Sequence, residues 1–204
     1  MSSWFDKVSS WLVNNKYYYL FGCGSDKTPL TSREAFLYFY GSPVPFYKTG
    51  TKNGTAYGKY DRIGAPVNRA GIKVYTAANI SSPTAGYRWA THELGHFFEA
   101  RVNGIMGNSY VRNKLGDDAD ITRRGLDNDE RSYDFAGTRY GWQQSPAATT
   151  GEEFADMFLG WNYNQWETEG NGLSQLGQAR ADFMGRYMAS WIALVINKER
   201  QKIR

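Results

Sequence analysis

Hydrophobic and polar positions follow a helical period over two stretches near the end of the chain, 149–161 and from Leu173 onward. Leu176, Phe183, Met184, Tyr187, Met188, Trp191, Ile192 and Val195 recur at spacings of three and four, predicting a long C-terminal amphipathic helix from Leu173 onward with a basic end. A second helix is predicted over 149–161, where Phe154, Met157, Phe158 and Trp161 form one apolar face and Thr150 with Glu153 forms a capping box. A third begins at Ser82-Pro83, a cap followed by proline at the first helical position, and is expected to stop at Asn103-Gly104. On it Ala90, Leu94, Phe97 and Arg101 share one side, which is expected to be the buried face.

The first half is less regular. Trp4, Phe5, Val8, Trp11 and Leu12 predict a short N-terminal helix, Tyr17 to Phe21 a strand, and the Thr31/Glu34 capping box a helix through Tyr38. Residues 41–70 are rich in Gly, Pro, Thr and Tyr, with Asn53-Gly54 as a hairpin signal. Gly71 to Thr76 reads as a short strand, and 104–148 as mostly loop. No internal repeat or low-complexity segment interrupts this order.

The chemistry is concentrated in Trp89-Ala90-Thr91-His92-Glu93-Leu94-Gly95-His96-Phe97-Phe98-Glu99, which contains an H-E-x-x-H motif. Residues four apart on a helix lie on one face, so His92 and His96 can reach one metal ion, with Glu93 beside them to act on a metal-bound water. The chain holds only two histidines. Random placement would space them by four roughly 1% of the time and follow the first with Glu roughly 5% of the time. A catalytic zinc ordinarily takes three protein ligands. The metzincin pattern would need Gly and His at the positions held by Glu99 and Val102, and is excluded.

Downstream, Glu152 and Asp156 lie one turn apart, opposite the apolar face of the helix over 149–161. A helix buried on one side and carrying two carboxylates on the other suits a face that looks onto a metal. Glu153 and Cys23 are the other candidate ligands. The capping box gives Glu153 a structural task, and Cys23 is also compatible with a small buried residue.

H-E-x-x-H followed by E-x-x-x-D on a later helix resembles the gluzincins, the metallopeptidase group of thermolysin and anthrax lethal factor. The resemblance covers the two helices and the preceding strand, about a third of the chain. It implies an α+β zincin-like domain with a small mixed sheet, an active-site helix, a glutamate helix and a long C-terminal helix. The single domain spans 1–204, with an upper lobe over about 1–103 and a lower helical lobe over about 104–204. The resemblance further implies one catalytic Zn²⁺ on His92, His96 and Glu152, and Asp156 as the carboxylate that holds a zinc-bound histidine in its tautomer. Glu93 becomes the general base, acting on a water whose pKa zinc lowers from near 16 to roughly 7. The oxyanion donor is assigned to Tyr140, with Tyr163 and Arg139 as rivals.

Composition narrows the surroundings of that chemistry. The chain has 204 residues, 41% hydrophobic and 22% charged, the balance of a soluble globular domain. Aromatics reach 16%, which suits a peptide- or sugar-lined cleft as well as a core. The net charge of +4 is scattered, so nucleic acid is not an expected partner; a peptide or protein substrate is. With one cysteine, no intramolecular disulfide forms. No signal-peptide pattern opens the chain, which favours the cytoplasm slightly and leaves secretion open. The apolar stretch from Met188 to Ile196 is too short to span a bilayer.

Two acidic runs, Asp117 to Asp120 and Asp127 to Glu130, offer oxygen ligands for Ca²⁺, but neither matches the EF-hand pattern and solvated loops share this composition. Two further functional classes stand beside the peptidase. One is a zinc-binding regulatory domain without hydrolysis, against which an intact Glu93 argues; the other is a zinc amidase acting on cell-wall peptide bonds.

Overall fold

The computed structural model describes residues 36–37, 39–40, 44, 46–49, 58–60, 72–75, 83–118, 121 and 150–201. The expected N-terminal helix, the strand at 17–21, Ser82, the Asn53-Gly54 turn, Cys23, Arg139, Tyr140 and the second acidic run lie outside them. The chain divides into two compact units, one of residues 44–184 and one of residues 1–43 with 185–204. The boundary expected near residue 103 falls within a continuous helix of the larger unit.

In the larger unit, β1 (Phe46–Thr49), β2 (Gly58–Tyr60) and β3 (Ile72–Tyr75) form a sheet in the order β1-β3-β2. β1 runs parallel to β3, with Phe46 opposite Ile72, and β2 runs antiparallel to it, with Tyr60 opposite Ile72. The strands flanking Asn53-Gly54 therefore do not pair with each other, and the hairpin signal does not join neighbours in this sheet.

Four helices of two or more turns follow among the described residues: α1 (Pro83–Met106), α2 (Tyr110–Gly116), α3 (Thr150–Tyr163) and α4 (Gln175–Gln201). α1 starts at the expected proline but runs past Asn103-Gly104. Its stop is Gly107, whose φ of 111° is open to glycine and whose N–H donates back to the Asn103 carbonyl at 2.9 Å. α2 lies in the segment expected to be loop. It buries Val111 and Leu115, an i, i+4 pair too short to register as a periodic pattern. Between α3 and α4, β4 (Thr168–Glu169) and β5 (Gly172–Leu173) make a two-residue hairpin, with Gly170 at φ 60°.

α1 packs against β2, α2 and α3. Its buried stripe differs from the expected one. Of the expected side only Phe97 is buried, whereas Ala90, Leu94 and Arg101 are half-buried; Gly95, Phe98, Glu99 and Val102 are buried with His92 and His96. Phe98 packs on Phe154 and Phe158 of α3, with ring centroids 6.1 and 5.3 Å away. Burying each such ring contributes roughly 1.5–3 kcal/mol. The histidine face is thus also the packing face, and this is what brings α3 to the motif.

In the smaller unit, residues 36–37 and 39–40 are helical, carrying the helix expected through Tyr38 on to Tyr40. Phe39 and Tyr40 are buried, as are Met188, Trp191, Ile192, Val195 and Ile196 on the C-terminal half of α4.

Candidate metal centre

The site begins with α1. His92 and His96 stand one turn apart, their ring centroids 4.9 Å apart and their planes at 86°. Both are buried, at 3% and 7% exposed. Gly95 lies between them in sequence and lets α3 approach. A Cβ on Gly95 would stand 2.9 Å from the Ala155 Cα and 3.1 Å from the Phe158 Cβ, so no larger residue fits without displacing backbone.

That close approach presents the first turn of α3 to the histidines. Glu152 Oε2 lies 3.1 Å from His92 Nε2 and 3.5 Å from His96 Nε2. The ligand atoms of His92, His96 and Glu152 all fall within 4.8 Å of one another. An ion about 2.0–2.1 Å from tetrahedral N and O ligands sets them about 3.3 Å apart, so separations of 3.1 and 3.5 Å would suit a shared ion. Two imidazole nitrogens and one carboxylate oxygen form a donor set suited to zinc.

Asp156, one turn further along α3, is fully buried and places Oδ1 2.8 Å from His92 Nδ1. The two nitrogens of His92 thereby have separate tasks, with Nδ1–H donating to Asp156 while Nε2 faces Glu152. This is the arrangement that orients a metal-binding histidine and fixes its tautomer.

The electrostatics of the ion-free site follow from these contacts. Burial by itself would drive the proton off His92, but the hydrogen bonds to Asp156 and Glu152 outweigh it and push its pKa from 6.5 up to about 10. Hydrogen bonds from both imidazoles hold the Glu152 carboxyl well below the usual carboxylate range. Glu93 is buried, and desolvation pushes its carboxyl up against the opposing pull of the two histidines. A carboxylate with a raised proton affinity is suited to accepting a proton near neutral pH.

Glu153, the rival ligand, turns to the other side of α3. It is fully buried and its Oε1 accepts from Arg180 Nε at 3.0 Å and Nη2 at 2.7 Å. Arg180 Nη1 also donates to Glu167 Oε2 at 3.3 Å. Glu153 thus has a structural task of its own in this buried ion pair. Tyr163 ends α3, about 16 Å along the helix axis from Glu152 at 1.5 Å per residue, too far to serve a carbonyl at the ligands. Of the first acidic run, Asp118 Oδ1 accepts the N–H of Ile121 at 3.3 Å, an ordinary turn contact. Among the described residues, His92, His96 and Glu152 are the group placed to hold a metal.

Gly95, Glu99, Arg112 and Arg180 also shape the site without having stood out in the sequence. Small residues at Gly95 and Ala155, and single charges within the apolar runs at Glu99 and Arg180, were the available signals. Comparison with protein-family models, with curated proteins and with solved structures gave no match.

Proposed function

We propose that this chain is a zinc-dependent metallopeptidase of the gluzincin type, built on a zincin-like α+β domain and acting on a peptide or protein substrate. The observation that carries the reading is the convergence of His92, His96 and Glu152 within 4.8 Å, with Asp156 on the far nitrogen of His92. His92, His96 and Glu152 would hold the ion, and Asp156 would keep the His92 Nδ1 proton so that Nε2 keeps its lone pair for the metal. Zinc bound there supplies Lewis acidity, polarising a carbonyl and making water acidic enough to ionise near pH 7. Glu93, neighbour to His92 in sequence and raised in proton affinity by burial, would take the proton from water and pass it to the leaving amine.

The test is elemental analysis of the purified protein together with cleavage of a peptide library. One zinc per chain and cleavage that falls at least two orders of magnitude in Glu93→Gln, with zinc retained, is the expected result. Zinc at full stoichiometry with no cleavage by the unaltered chain would leave a metal-binding domain and remove the peptidase. Full zinc occupancy in His92→Ala would remove the site itself.

A further inference from the structure

The first turn of α3 is held by a residue outside the metal cluster. Arg112, on α2, donates through Nε to Oε1 and through Nη2 to Oε2 of Glu99, the second contact at 3.4 Å. Glu99 is 2% exposed and stands three residues after His96 on α1. Its Oε1 also accepts from Asn103 Nδ2 at 3.3 Å, while Asn103 Oδ1 accepts the N–H of Val111 at 3.0 Å. These contacts tie α2 to α1 at both ends of one short bridge.

The guanidinium of Arg112 rests in the space where Gly151 lacks a side chain. A Cβ there would stand 2.6 Å from Nη2 and 2.9 Å from Cζ. Gly151 is buried and immediately precedes Glu152. A cation beside the N-terminal turn of a helix is unfavourable alone, so the carboxylate of Glu99 is what allows it to remain there.

We infer that Arg112, held by Glu99 and seated on Gly151, is a positioning residue that sets where the Glu152 carboxylate stands relative to His92 and His96. The inference rests on the metal-site reading above. Glu152 is 37% exposed at its side chain, so its place depends largely on the backbone that carries it. That backbone is gripped on either side, at Gly151 by Arg112 and at Ala155 by Gly95. Removing the guanidinium leaves Glu99 buried without its cation and frees the first turn of α3 to shift away from the histidines.

The full-length chain allows a direct test through Arg112→Gln, Gly151→Ala and the double variant. Zinc dissociation constants are measured by chelator competition. The ring resonances of the ion-free protein are read by NMR at fixed pH, where the only two histidines are those of the site. Each single variant is expected to weaken zinc about tenfold, the lower range for the loss of a supporting contact. Each should also move the ring resonances while melting as a folded protein. The double variant is expected to be no worse than the weaker-binding single, because both changes remove the same contact. If Arg112→Gln does not fold, Gly151→Ala carries the test, since its methyl group displaces only the tip of a flexible side chain that is 44% exposed. Unchanged zinc affinity with unchanged resonances in a folded variant, or losses that add in the double, would overturn the inference. Failure of the unaltered chain to bind zinc would instead remove the metal reading, and the ion-free resonances would still decide the positioning role.

Discussion

Gly95 of α1 lies so close to Ala155 of α3 that a methyl group on it would stand 2.9 Å from the Ala155 Cα. Gly95 occupies the second free position of H-E-x-x-H, so the same residue that separates Leu94 from His96 also sets the gap across which Glu152 meets the histidines.

Gly95→Ala gains about 1 kcal/mol of helix propensity, but overpacking against backbone costs about 1–3 kcal/mol and is expected to win. Denaturant melts should show a net loss of stability, and zinc titration a weaker site as α3 is pushed outward. A more stable variant with unaltered zinc affinity would show that the close approach is not what seats Glu152.

Asp156→Asn keeps the shape of the side chain but exchanges the charged carboxylate acceptor of the His92 Nδ1 proton for a neutral amide. Zinc affinity is expected to fall about 10- to 100-fold, the usual loss for such a partner. Competition against a chromophoric chelator measures this, and an unchanged constant would count against the role of Asp156.

Glu152 and Glu153 are neighbours with opposite expected phenotypes. Glu152→Gln should weaken zinc severely, its cost to the ion-free fold being limited to the contacts of a partly exposed carboxylate with His92 and His96. Glu153→Gln should leave zinc affinity nearly intact but destabilise the chain by about 3–5 kcal/mol, because Arg180 stays buried with half its countercharge gone. Urea unfolding of the ion-free proteins beside zinc titrations separates the two, and the reverse pattern would mean a different register for α3.

The ion-free protein should show a stability optimum on the acid side of neutrality. His92 has its pKa raised from 6.5 to about 10, so its contribution is fully present below about 6.5 and disappears as pH rises through about 10. Glu152 is shifted down from 4.5, so its contribution is present above 4.5 and disappears as pH falls through the lower folded value. Glu93, shifted up by burial, weakens the fold as pH rises beyond 4.5. Melts of chelator-treated protein from pH 4 to 10 should therefore peak between the two limits. Zinc must displace the His92 proton, so calorimetry in buffers of different ionisation enthalpy should detect proton release near pH 7, and affinity should rise with pH. A pH-independent affinity across that range would contradict this coupling.

The sequence alone determined the local terms of this site. H-E-x-x-H places two imidazoles on one helical face whatever the helix packs against, because that follows from 3.6 residues per turn. Pro83 as the start of α1, the pairing of Glu152 with Asp156 at i and i+4, and the long helix ending in Lys198 and Arg200 were legible for the same reason. Period alone could not say which stripe of α1 is buried. Gly95 contributes to that stripe through the side chain it lacks, and Glu99 through a charge partner thirteen residues away. Likewise Glu153 is held by Arg180, twenty-seven residues downstream. Such contacts depend on distances between helices, which no local spacing encodes. Where Glu152 stands beside the two histidines depends on how closely α3 approaches α1, which meet at Gly95, where a Cβ would stand 2.9 Å from the Ala155 Cα.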